Sequence, residues 1–245
     1  MWWNRENVAA IFDRPASEIP WLFADAVDSL KTSPVAPVVA EDAPSQEVVI
    51  SEPDLYKIPI PTHALLDGGP YFSNCVIIAR DPDTGVRNAS VHRLMFTGKD
   101  RLGLLMDMGR HLRDYYERAE ARGEPLEITI SNGMHPAYFV AATTPSSAAP
   151  IDVDELAVAS YLLGEPARLS KSLTVDVEGL ADAEMVMEAE ILPHVREPEG
   201  PFGEVSGYYA TRADRWVVKV KTITMRKNPI SVSYTHLRAH ETTLH

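Results

Sequence analysis

Asn74-Cys75-Val76-Ile77-Ile78-Ala79-Arg80 is a continuous apolar run, Asp81-Pro82-Asp83-Thr84-Gly85 follows it, and residues 86–96 return with branched and aromatic side chains. A short apolar run closed by turn residues reads as a buried strand. Proline near the start of the connection and glycine at its end supply the turn. The stretch is therefore a β-hairpin, and it makes the surrounding domain a sheet-based one. Cys75 is the single cysteine, so no internal disulfide can form. Among valine and isoleucine it reads as a small buried strand residue and not as a nucleophile.

Beyond the hairpin, residues 102–122 have helical spacing and stop at Gly123 with Pro125 behind it. Residues 126–131 alternate as a strand. Residues 152–163 read as a helix with Asp152 at its N-cap, Glu155 completing a capping box, and Gly164 and Pro166 at the exit. Residues 168–175, 184–192 and 215–225 read as strands. On the N-terminal side, Trp21-Leu22-Phe23-Ala24-Asp25-Ala26-Val27 carries a short amphipathic helical pattern. Residues 33–44 are extended, 46–50 a strand, 53–61 a linker too rich in proline for a central strand, and 63–69 a loop. Many strands with few, separated helices predict an α+β domain built around a barrel-like sheet.

The 245 residues suffice for one large domain with a real core. A formal net charge of −12 argues against nucleic-acid partners and against binding to an anionic membrane face. No run approaches the roughly 18 apolar residues of a membrane span, so stable membrane insertion is not expected. The start of the chain leads into no apolar signal-peptide core, which makes the cytoplasm the expected location.

Chemistry concentrates in two segments. Glu199-Gly200-Pro201-Phe202-Gly203-Glu204 holds two carboxylates around a core too stiff and turn-prone for a helix or a plain strand. Such a loop can aim both acids at one point, and on spacing alone they could form a glycosidase pair. Asn88-Ala89-Ser90-Val91-His92-Arg93 offers a fixed cation at a strand end. Alternation puts Arg93 with Val91 and Ser90 with His92. Arg93 could equally be an exposed arginine at a sheet edge. Asp107, Arg110 and His111 at helical spacing share one face, as pocket lining or as a solvated pair beside an ordinary helix histidine. Asp67-Gly68-Gly69 reads as a tight structural bend.

Together these motifs resemble the signatures of the UbiD family of reversible decarboxylases. The resemblance covers residues 45–230 and implies a split β-barrel central domain related to flavin-binding barrels. It implies non-oxidative, reversible decarboxylation of an aromatic or α,β-unsaturated carboxylic acid with prenylated FMN as cofactor. Arg93 and Glu199 correspond to the pair that positions the substrate carboxylate, and Glu204 to the proton donor. Asn88, His111 and Glu155 correspond to metal ligands, with Mn²⁺ and K⁺ bridging the cofactor phosphate and Ser90, Arg93 and Arg110 beside the cofactor. An acid held by arginine stays ionised, whereas one in an apolar pocket can donate a proton, so the two glutamates are expected to divide the labour. A flavin prenyltransferase as cofactor supplier and a homo-oligomeric whole protein are implied as well. The alternative on the same fold is a non-catalytic flavin-binding or assembly subunit.

Residues 1–50 read as a partial N-terminal segment and 51–230 as the central domain. Residues 232–242 resemble a translated sequencing adapter, and 231–245, with three of the eight histidines, are expected to be an artefact. A C-terminal domain is expected to be missing, and the chain alone is expected to be inactive.

Overall fold

The computed structural model describes residues 4–204 and 206–233. Most of the adapter-like stretch lies outside them. Helices α1 (Arg5–Ile11) and α2 (Ile19–Thr32) lead into β1 (Val38–Val39), β2 (Val48–Ile50), β3 (Tyr71–Phe72), β4 (Cys75–Arg80), β5 (Arg87–Val91), β6 (Leu94–Gly98) and β7 (Arg101–Leu104). There follow α3 (His111–Ala121), β8 (Leu126–Asn132), α4 (Pro136–Ala142), α5 (Leu156–Leu163), β9 (Arg168–Ser170) and β10 (Gly179–Leu180). The chain then runs through β11 (Met185–Glu199), β12 (Phe202–Gly203), β13 (Tyr209–Ala210) and β14 (Ala213–Met225).

Nine strands form one sheet in the order β3-β6-β7-β14-β11-β8-β4-β5, with β2 paired to β14. Every pairing in it is antiparallel. The mixed α+β expectation holds. Among the described residues no pairing joins β3 to β5, so the sheet is not closed.

The sheet is buried on both faces, which is why its strands read as apolar runs. From β4, Cys75, Ile77 and Ala79 enter one core, with Tyr115 and Tyr116 of α3 and Met187 and Ile191 of β11. Val76 and Ile78 enter the other, under α2, α4 and α5. Cys75 is wholly buried, and burial pushes its thiol up to about 12, so it is inert as expected.

Four sequence expectations fail locally. Residues 102–122 are not one helix: Leu102 and Leu104 alternate into the core from β7, and the helix begins only at His111, after Gly109 at φ +78°. Residues 86–96 are two strands broken at His92 and Arg93. Residues 152–163 become helical only at Leu156, and Glu155 makes no capping hydrogen bond. Residues 168–175 stop as a strand at Ser170, because the buried Glu188 carboxylate gathers the amides of Leu173 and Thr174 into a loop. Helix α4 escaped the sequence pattern because it is only seven residues long, started by Pro136 and capped by the His135 side chain.

Candidate active site

Strand β11 ends at Glu199, and the Gly200-Pro201 peptide that follows is cis. Glu199 is 0% exposed and accepts a bidentate pair of bonds from Arg93, Nε to Oε1 and Nη2 to Oε2, each 3.0 Å. The Tyr71 hydroxyl donates to Oε1 at 3.0 Å. Burial and the Glu199 carboxylate push the Tyr71 phenol up, so it remains a donor at any working pH. The third edge of the guanidinium, Nη1, pairs with Glu204, whose side chain is 43% exposed. Burial by itself lowers the Arg93 pKa, but its bonds to Glu199 and the charges of both acids raise it overall. Arg93 thus joins one buried and one half-exposed carboxylate. Both glutamates meet Arg93, and Glu204, half exposed, does not lie in the apolar pocket expected for it.

Several supports were not legible as site residues. The Phe202 ring lies 5.2 Å beneath the Arg93 guanidinium and 4.5 Å from the Tyr71 ring. Asp67, read as part of a bend, gathers the amides of His63 and Ala64 on Oδ2 and that of Gly203 on Oδ1. Gly68 donates to the Pro201 carbonyl at 2.7 Å. A Cβ at Gly68 would lie 2.3 Å from the Gly200 carbonyl oxygen, backbone that cannot swing aside. Substitution of Gly68 by alanine is therefore expected to destabilise the fold by about 2 kcal/mol or more and to displace the 199–204 loop, measurable by urea unfolding. Unchanged stability in that variant would rule out the close approach.

A second cluster lies around a small cavity lined by Asn88, Ser90, Arg110, His111 and Glu155. Glu155, freed from any cap, accepts from Asn88 Nδ2 at 2.7 Å and from the Ala89 amide at 3.0 Å. His111 Nδ1 is 3.4 Å from Glu155 Oε1. Asn88 Oδ1 is buried with no partner. Arg110 is the N-cap residue of α3 and Asp107 precedes the helix, so the expected common helix face does not exist. Among the described residues no group of three or more His, Cys, Asp or Glu side chains is placed to hold a metal. The cluster instead mixes an amide, an imidazole and a carboxylate.

His92 and Ser90 share a side, as alternation predicts. His92 Nδ1 lies 3.0 Å from the Leu105 carbonyl and Nε2 lies 3.1 Å from Ser90 Oγ. Burial lowers its pKa to about 4, with Arg110 adding to the fall and the Leu105 bond and Asp107 opposing it. Above pH 6.5 both the folded and the unfolded states hold it neutral, so this contribution is fully present there. Below that the unfolded chain takes up a proton that the folded chain refuses. Unfolding free energy is expected to fall between pH 6.5 and about 4, by about 3 kcal/mol at most. Denaturant titrations across that range, with His92→Gln flattening the profile, check it.

Among the described residues no helix is long and apolar enough to cross a membrane. The family model described as "3-octaprenyl-4-hydroxybenzoate carboxy-lyase Rift-related domain", UbiD, matches residues 37–238. The chain is 39% identical over 225 residues to anhydromevalonate phosphate decarboxylase of Methanothermobacter thermautotrophicus, covering 92% of this chain and 51% of that protein. It is 36% identical over 229 residues to phenolic acid decarboxylase of Bacillus subtilis, covering 89% and 46%. The structure of an evolved dimeric form of the UbiD-class enzyme HmfF from Pelotomaculum thermopropionicum, in complex with prFMN, superposes with a TM-score of 0.85 at 46% identity. That match covers 93% of this chain and 52% of the other. The chain spans about half the length of the curated relatives it matches.

Proposed function

We propose, from the premise that this chain belongs to the UbiD carboxy-lyase family, that the whole protein catalyses non-oxidative, reversible decarboxylation of an aromatic or α,β-unsaturated carboxylic acid. The observation that carries this reading is the Glu199–Arg93–Glu204 array, a guanidinium locked on one side and open to exchange on the other. The named relatives, which act on a phenolic acid and on anhydromevalonate phosphate, and the prFMN complex of HmfF support it.

Glu199 occupies Nε and Nη2 of Arg93 and is too buried to leave. A substrate carboxylate can therefore take only the Nη1 edge, where Glu204 now sits. Its arrival displaces Glu204 from the cation, and the half-exposed carboxylate takes up a proton from solvent. Glu204 then holds the proton for the carbon that CO₂ leaves, while Arg93 and Glu199 fix the carboxylate in line. Prenylated FMN, when bound, supplies the electron sink that no side chain provides.

The donor set fits the cofactor's counter-ions. Asn88 Oδ1 is a buried acceptor with no partner, and beside it stand Glu155 and His111, a hard and mixed N/O set suited to Mn²⁺ with K⁺ nearby. Ser90 and Arg110 line the same cavity and would meet the cofactor phosphate there.

The test is reconstitution of the whole protein with prenylated FMN, Mn²⁺ and K⁺, followed by CO₂ release from a panel of aromatic and acrylic acids. Turnover of at least one class is expected. Tight flavin binding with no turnover on any acid, and no exchange of labelled CO₂ into products, would favour the assembly-subunit reading instead.

A further inference from the structure

The mechanism leaves one cluster of charged side chains without a task. Arg80 of β4 and Arg87 of β5 stand directly opposite one another, a like-charge pair that would weaken the hairpin if left alone. Two carboxylates balance them. Glu178 pairs with Arg80 Nη2 and lies 3.5 Å from Arg87 Nη1. Asp154 Oδ2 accepts from Arg87 Nε at 2.9 Å. The side chains of Arg87 and Asp154 are mostly buried, so salt and water screen this pair little.

The place of this pair in the chain gives it a role. Arg87 immediately precedes Asn88, and Asp154 immediately precedes Glu155. Two neighbouring rungs therefore join β5 to the start of α5, Arg87–Asp154 and Asn88–Glu155. Alternation puts Arg87 with Ala89 on one face of β5 and Asn88 with Ser90 on the other, so residues 154–155 straddle the strand. They can do so because β5 is an edge strand, paired among the described residues with β4 alone. Asp154 also decides where α5 begins. Its Oδ1 accepts the Leu156 amide at 3.0 Å while Oδ2 holds Arg87, and the helix starts at Leu156. A capping box at Asp152 would need Glu155 inside the first turn with its carboxylate turned back on residue 152. With the helix start drawn to Asp154, that local partner is lost and Glu155 reaches across to Asn88 and the Ala89 amide.

We propose that Arg87 and Asp154 are positioning residues: their ion pair pins the start of α5 across β5 and so presents Glu155 and Asn88 together to the cation. The second rung spends Asn88 Nδ2 on Glu155 and leaves Asn88 Oδ1 free for the ion. His111 and Arg110 reach the same cavity separately, from the start of α3, so the ion pair governs the β5 and α5 walls. Partners behind a metal ligand typically change metal affinity by roughly tenfold to a hundredfold when removed, without touching the ion.

The inference rests on the cavity being the cation site of the preceding reading, and the experiment tells their failures apart. Mn²⁺ binding to the whole protein in the presence of FMN is measured by electron paramagnetic resonance. The variants are Glu155→Gln, Arg87→Met, Arg87→Lys, Asp154→Asn, the Arg87→Met/Asp154→Asn double and Arg80→Met. Asp154→Asn keeps an oxygen for the Leu156 amide and removes only the charge, while Arg80→Met leaves the Asp154 arm in place. Arg87→Met and Asp154→Asn are each expected to weaken Mn²⁺ by roughly tenfold, with the double variant no weaker than the weaker single. Arg87→Lys, which keeps the cation, and Arg80→Met should stay within about threefold of wild type. Hydrogen exchange at the Ala89 amide, measured without metal, should quicken in Arg87→Met and Asp154→Asn and not in Arg80→Met. Both single variants binding Mn²⁺ like wild type, while Glu155→Gln fails to bind, overturns this inference and leaves the site reading intact. Additive losses in the double variant, or an equal loss in Arg80→Met, also overturn it, because either reduces the pair to general stability. If Arg87→Met does not fold, Asp154→Asn and its Ala89 exchange decide. Wild type that does not bind Mn²⁺, or Glu155→Gln that binds it normally, overturns the site reading and this inference with it.

Discussion

Replacing Arg93 by leucine is expected to destabilise the folded chain by about 3–5 kcal/mol and to abolish decarboxylation by the whole protein. The stability loss comes from Glu199, which is 0% exposed and takes two of its three hydrogen bonds from Arg93. Without the guanidinium, a charge or a protonated acid is left in the core with only the Tyr71 hydroxyl. The Arg93→Leu/Glu199→Leu double variant should regain much of the lost stability, because removing both members of a buried pair costs far less than removing one. Tyr71 would then turn to the Pro201 carbonyl, already 3.4 Å away. Neither variant should recover activity. Urea unfolding of both reads the result, and an Arg93→Leu chain as stable as wild type would show that Glu199 is not held by this pair.

Glu204→Gln is expected to have the opposite profile: near-native stability with turnover reduced by about two to four orders of magnitude. The side chain is 43% exposed, and an ion pair so open to water contributes little to folding. Glutamine keeps the shape and can hydrogen-bond, but cannot supply an acidic proton. Flavin binding and substrate affinity should change only a few-fold, so the loss appears in kcat. Single-turnover CO₂ release and solvent-deuterium incorporation at the decarboxylated carbon are the measurements. Wild-type incorporation rates in the variant would move the proton donor to another residue.

The two variants differ because one loop gives its two acids different surroundings. The family resemblance separates the roles of the two glutamates in Glu199-Gly200-Pro201-Phe202-Gly203-Glu204, but residue type and spacing do not show that one is buried and the other half exposed. Glu155 makes the same point. Its spacing from Asp152 fits a capping box, yet its carboxylate reaches Asn88 and the Ala89 amide on β5. Propensity could not choose between a local partner and one 66 residues away. Likewise residues 102–122 match a helical period because Leu102, Leu105 and Met106 recur at helical spacing. Pairing of β7 with β6 and β14 overrides that preference for its first residues.

The amino-acid sequence by itself determined the β4–β5 hairpin, the buried Cys75, the α+β class and the identity of the motifs, all of which follow from residue type and near neighbours. Only the tertiary structure decided that Arg93 spans both glutamates and that Tyr71, Asp67 and Gly68 hold the 199–204 loop. These are contacts between segments up to 136 residues apart. Their energies depend on burial and on which partner arrives first at a donor or acceptor, quantities that exist only once the sheet has assembled.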